Sequence, residues 1–103
     1  MEISSNKVIM YSKTTCPFCA TAKKIFQFMN VEVCLVELDE KPKGSEIQIS
    51  LAEISGQRTV PNIFIGGQHF GGCSELQAGM SDGSLQNKLN QAGVIFNAPY
   101  LEN

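Results

Sequence analysis

Apolar residues run unbroken from Val8 to Met10 and lead into Tyr11, between Lys7 and the polar stretch Ser12-Lys13-Thr14-Thr15. A short continuous apolar run of this kind predicts a strand over 7–11, buried on both faces. From Cys16-Pro17 onward the period changes. Phe18, Ala22, Ile25, Phe26 and Met29 recur at the spacing of one helix face, with Lys23 and Lys24 on the exposed side and Asn30 as the stop. Pro17 suits the first helical turn, where its missing N–H costs nothing. Val31 to Leu38 is β-branched and alternating, which predicts a second strand with Val31, Val33, Leu35 and Val36 in the core. Strand, helix and strand in this order imply a right-handed unit with parallel strands.

A polar connector follows over 39–44. The stretch Glu46–Ser55 fits two periods: Ile47, Ile49 and Leu51 alternate, whereas Ile47, Leu51 and Ile54 share a helix face. Ser45 as a cap and Gly56 as a terminator favour the helix. Asn62–Ile65 predicts a strand, Gly66-Gly67 a hairpin turn and Gln68–Phe70 the returning strand. Gly71-Gly72 breaks the chain again. One helix is predicted from Ser74 or Glu75, and another over Ser84–Ala92 with Leu85 and Leu89 inward. Neither repeat, low-complexity tract nor linker divides 1–103, so one domain is expected, with loosely held ends at 1–6 and 97–103. The fold class is α/β, a small four-stranded mixed sheet flanked by helices.

The chain has 103 residues, with four Cys, one His, no Trp and a formal net charge of -2; 43% of it is hydrophobic. That is enough for one core without staples. The mildly acidic balance argues against nucleic acid or an anionic membrane as partner. No apolar run approaches a bilayer span, and Met1–Asn6 carry no signal core. A cytoplasmic, monomeric protein in a reducing compartment is expected. There, paired cysteines point to redox chemistry or a metal rather than to structural disulfides.

Cys16-Pro17-Phe18-Cys19 lies directly after a predicted strand and opens a helix. The free N–H groups and dipole of a helix N-terminus favour the thiolate of a cysteine placed there, and Lys13 adds positive charge nearby. Cys16 is therefore the reactive thiol. Cys19, one turn deeper on the same side, can attack a mixed disulfide on Cys16 while shielded from outside substrates. Zinc would call for four ligands, usually from two such pairs. Only one pair is present, and Cys34, His69 and Cys73 are scattered, so redox chemistry is favoured and no metal is expected. Cys34, in a strand pattern, reads as a small buried hydrophobe.

Three blocks then carry a resemblance: Lys13-Thr14-Thr15-Cys16-Pro17-Phe18-Cys19, Gly56-Gln57-Arg58-Thr59-Val60-Pro61 and Gly71-Gly72-Cys73-Ser74-Glu75-Leu76. In order and spacing they resemble the motif blocks of the dithiol glutaredoxins, with a CPFC active site. The resemblance implies a thioredoxin-like fold. It also implies a glutathione-dependent thiol–disulfide oxidoreductase that reduces protein–glutathione mixed disulfides and protein disulfides, with Cys16 as nucleophile and Cys19 as resolving thiol. Glutathione would be the reducing co-substrate, with no tightly bound cofactor. The peptide bond before Pro61 would be cis, leaving the Val60 N–H and C=O to pair with the extended backbone of glutathione.

Lys13 and Gln57, assisted by Arg58, would hold the glycine carboxylate. The N–H groups of Cys73 and Ser74, at a helix N-terminus, would hold the γ-glutamyl carboxylate, with Gly71 and Gly72 allowing close approach. Phe18 and Thr59 complete the implied glutathione contacts. Glu75 either meets the ligand's ammonium or serves as a helix-start carboxylate. Tyr11 is expected to border the site. Cys73 is expected near it and exposed, with regulation by oxidation as a lesser reading. The alternative is a dimer sharing an iron–sulfur cluster through Cys16 and two glutathiones. Pro17 weighs against it, because cluster-holding relatives usually have a smaller or polar residue there. A thioredoxin-type reductase is disfavoured by the absence of Trp and of a Gly-Pro pair inside the motif.

Overall fold

A computed structural model describes residues 2–97; the expectation of a loose end over 98–103 lies outside the described residues, as does Met1. The elements are β1 (Val8–Ser12), α1 (Pro17–Phe28), β2 (Cys34–Glu37), α2 (Gly44–Ser55), β3 (Asn62–Ile65), β4 (Gln68–Gly71), α3 (Cys73–Asp82) and α4 (Ser84–Gln91), with 3-10 turns at Glu2–Ser5 and Leu38–Glu40. The sheet order is β2-β1-β3-β4. β1 runs parallel to β2 and antiparallel to β3, and β3 pairs antiparallel with β4. β1 is therefore central, and every one of its residues is buried, as its unbroken apolar run requires.

Alternation along the strands builds two cores. Val8, Met10, Ile63 and Ile65 pack against Ala22 and Phe26 of α1, Leu76 of α3, and Leu85 and Leu89 of α4. On the other face Ile9, Tyr11, Val36 and Phe64 pack against Leu38 and Leu51, with Ile3 closing over them. In the turn before β1, Asn6 Nδ2 and Ser5 Oγ both bond the Glu2 carbonyl, at 2.9 and 3.1 Å. At the other end Asn97 N–H donates to Met29 O at 2.7 Å.

Several sequence expectations are corrected. Phe18 is 67% exposed, and fully buried Cys19 takes the inward position. Helical side chains tilt toward the N-terminus, so in the first turn Phe18 projects past the sheet rather than onto it. Lys23 is only partly exposed and pairs with Glu37 at 2.6 Å. β2 begins at Cys34 rather than Val31, because α1 ends through Asn30 at φ 56 with Val31 N–H bonded back to Phe26 O, a left-handed helix stop. Leu35 is 44% exposed, since β2 is an edge strand. Ser45 lies inside the first turn of α2, whose cap is Lys43, while Gly56 ends that helix at φ 75 as anticipated. Ile54 is exposed. α3 begins one residue before the predicted range, at Cys73. No helix among the described residues is long and apolar enough to cross a membrane.

Candidate active site

The carboxyl end of β1, the start of α1, the loop before β3 and the start of α3 meet at one end of the sheet. Cys16 is the N-cap of α1, and its sulfur accepts the Cys19 N–H at 3.2 Å. A sulfur thus fills the position that a serine or aspartate oxygen usually takes, directly on a free helix N–H. In its protonated form Cys16 donates to Val60 O at 3.6 Å. The turn ahead of it closes through Cys16 N–H to Lys13 O at 3.1 Å. Asp39, just beyond β2, pins the same turn: it accepts Thr14 N–H at 3.0 Å and also takes the Thr14 hydroxyl. The Thr14 hydroxyl, then the Thr14 N–H, hold the Asp39 carboxyl below its usual value.

Cys19 is fully buried. Burial, then its hydrogen bond with Cys16, pushes its thiol up, partly opposed by the Ser12 hydroxyl beneath it. The outer sulfur therefore faces solvent and a helix N–H, while the inner one keeps its proton.

The Val60–Pro61 bond is cis. The loop that carries it is braced from within. Gln57 Nε2 donates to Thr59 O at 2.9 Å and Pro61 O at 2.8 Å, and its Oε1 lies 3.2 Å from His69 Nε2. Ser55 Oγ accepts both Gln57 N–H at 3.1 Å and Asn62 Nδ2 at 3.2 Å.

Across from this loop, Glu75 Oε1 accepts Gly72 N–H at 2.7 Å, so the carboxylate does serve the helix start. Gly71, at φ +134, leaves no free room for a side chain: a Cβ there would sit 2.6 Å from Glu75 Cγ and force it to shift. Cys73 is not exposed as expected but buried, at 7%. Burial foremost, then negative charge at Cys16 and Glu75, pushes its thiol up.

Between these walls lies a groove of about 460 Å³, lined by Phe18, Gln57, Thr59, Val60, Pro61, Gly72, Cys73, Ser74 and Glu75. All nine were anticipated from the sequence. Lys13 and Arg58 lie outside that lining. Arg58 faces a neighbouring cavity over α2 with Gln48 and Ile49, and Gln48 Nε2 donates to its carbonyl at 2.9 Å. Tyr11 does not border the groove; it is buried edge-on to Phe64, with ring centroids 6.1 Å apart. Cys34 is half-buried and lines a cavity at the opposite end of the sheet. Among the described residues, no three His, Cys, Asp or Glu side chains gather as a metal site would need. Ser12, Asp39 and His69 are contributors that the sequence did not single out for the site. Ser12 could have been suspected from its place just ahead of the motif, whereas Asp39 and His69 reach it only through tertiary contacts.

A reactive sulfur on a helix start, a buried partner sulfur one turn deeper and a cis-proline wall define a thiol–disulfide oxidoreductase of thioredoxin-like fold. Residues 8–70 match the family model for glutaredoxin. The chain is 50% identical over 93 residues to a glutaredoxin of Ricinus communis, covering 90% of this chain and 91% of that one. Wheat glutaredoxin superposes with a TM-score of 0.85 at 45% identity, covering 90% of this chain and 88% of that one. A buckwheat glutaredoxin–glutathione complex does so with a TM-score of 0.85 at 41% identity, covering 88% and 83%. The chain belongs to the glutaredoxin family of glutathione-dependent thiol oxidoreductases.

Proposed function

We propose that this glutaredoxin reduces protein–glutathione mixed disulfides through Cys16, and protein disulfides through Cys16 and Cys19 together. The observation that carries the reading is the Cys16 sulfur on the Cys19 N–H at 3.2 Å, at the head of a groove walled by the cis Val60–Pro61 bond. In the first reaction the Cys16 thiolate attacks the glutathionyl sulfur, the old S–S bond breaks, and the protein thiolate leaves and takes a proton. Cys16 then carries glutathione. A second glutathione thiolate attacks that sulfur, releasing oxidised glutathione and the Cys16 thiolate.

In the second reaction Cys16 attacks a protein disulfide. Cys19 gives up its proton, attacks Cys16 and frees the second protein thiol. Two glutathiones reduce the resulting Cys16–Cys19 bond. Such exchange rates follow the thiolate fraction of the attacker and the leaving-group pKa. The buried thiol of Cys19 keeps it out of the first attack.

Glutathione lies along the groove with its cysteine backbone on Val60. Its γ-glutamyl carboxylate meets the N–H groups of Cys73 and Ser74 at the start of α3. One Glu75 oxygen holds Gly72, which leaves the other for the ligand's ammonium. Phe18 and Thr59 flank the chain of the ligand, and Lys13 and Arg58 supply positive charge beyond the lining for the glycine carboxylate.

The test is glutathione-dependent reduction of a small mixed disulfide by wild type, Cys16→Ser and Cys19→Ser. Loss in Cys16→Ser with retention in Cys19→Ser is expected; equal loss in both overturns the assignment.

A further inference from the structure

We propose that His69 is a positioning residue for glutathione, acting through the Gln57 amide to hold the backbone on which the ligand pairs. The inference rests on the groove being the glutathione site. A primary amide has two N–H donors and one oxygen. In Gln57 both donors are engaged within the loop, on Thr59 O at 2.9 Å and Pro61 O at 2.8 Å. The amide is oriented by chemistry, because the reverse orientation would set its oxygen against two carbonyls. Oε1 is therefore the end that faces His69 Nε2, at 3.2 Å, and an oxygen can only accept, so His69 carries the proton on Nε2. No N–H of Gln57 remains to meet a ligand carboxylate. Its place in the motif is explained by the loop: the two carbonyls it ties are those on either side of Val60.

The imidazole is itself fixed. His69 stands opposite Phe64 across the hairpin, with ring centroids 5.3 Å apart. The irregularity between Ile63 and Phe64 brings Gly71, only two residues on, opposite Ile63. One short strand thus braces both walls of the groove: His69 through Gln57, and Gly71-Gly72 through the start of α3. The walls meet at the same amide, since a Cβ on Gly72 would lie 3.2 Å from Pro61 O and 3.5 Å from Gln57 Nε2.

The test compares wild type, His69→Phe and His69→Gln with mixed disulfides of glutathione and of γ-glutamylcysteine, which lacks the glycine. Phe keeps the ring against Phe64 but cannot donate; Gln can donate again. His69→Phe is expected to raise KM about three- to tenfold, the range of one hydrogen bond, by the same factor for both substrates. Its kcat and the rate of Cys16 alkylation by iodoacetamide should stay within about twofold of wild type, and His69→Gln should recover most of the KM. An unchanged KM, a loss confined to kcat, or no recovery in His69→Gln overturns the proposal. A rise with glutathione alone would overturn it as well, by placing the pair on the glycine carboxylate. Inactive wild type would instead overturn the glutathione reading itself.

Discussion

The two ends of the sheet each hold a cavity and a cysteine, and among the described residues only one end sets a sulfur on a helix N–H. At the carboxyl end of β1 the groove of 460 Å³ has Cys16 at its head. At the opposite end a larger cavity, 710 Å³, opens around Cys34, Lys7, Asn30 and Glu32. The difference lies in what the backbone presents. Where β1 ends, α1 and α3 begin, so free N–H groups point into the groove and one of them meets the Cys16 sulfur. The far cavity is reached where α1 finishes, and Asn30 closes that helix there. Size does not mark the site; a sulfur set on a helix N–H beside the cis Val60–Pro61 peptide does.

The strongest way to break this comparison is to exchange the two sulfurs for oxygen. Cys16→Ser should lose glutathione-dependent reduction by about 10³-fold or more, whereas Cys34→Ser should stay within about twofold; comparable losses would erase the distinction between the ends. Glycines sharpen it next. A Cβ on Gly44 would lie 1.8 Å from Leu38 O, away from the groove. Gly44→Ala should lower the urea midpoint by an amount equivalent to about 3 kcal/mol while the folded fraction keeps its KM. Gly71→Ala displaces Glu75 and should raise KM as well as cost about 1–3 kcal/mol.

Smaller again is the pH response of the turn ahead of Cys16. The Asp39 carboxyl is held below its usual value by Thr14, so the folded state binds that proton less tightly than the unfolded chain. The stability it contributes is present at neutral pH and lost as pH falls through and below the ordinary carboxylate range, near 4. Asp39→Asn should flatten the acid limb of a plot of urea midpoint against pH; an identical limb would sever the link.

The smallest effect concerns Tyr11, whose hydroxyl is buried without a partner among the described residues. Tyr11→Phe should leave stability unchanged or raise it by up to about 1 kcal/mol. Burial, with Glu2 and Cys34 behind it, pushes the phenol up to about 12. The folded state therefore holds that proton more tightly, and the associated stability is present at lower pH and lost as pH rises from about 10 toward 12. Absorbance near 295 nm, wild type minus Tyr11→Phe, should show ionisation near the upper figure.

Local pattern made most of the fold legible. An unbroken apolar run announced the central strand, Gly56 announced the end of α2, and Gly66-Gly67 announced the hairpin. The groove lining was legible too, through the resemblance of the three motif blocks. What escaped was of another kind. Phe18 has the right spacing for the core, yet its position in the first turn sends it outward. Val31 is buried as expected, but through a helix stop rather than a strand. Cys73 reads as exposed beside the site, yet it is buried at the start of α3.

The sequence by itself determined the two periodicities, the place of the cysteine pair at a strand-to-helix junction and the family, because these depend on neighbours within a turn or a strand. Only the tertiary structure decided that Asp39 holds Thr14 and that His69 holds Gln57. Those contacts join residues 25 and 12 positions apart, and the packing of the strands, not the spacing in the chain, brings them together.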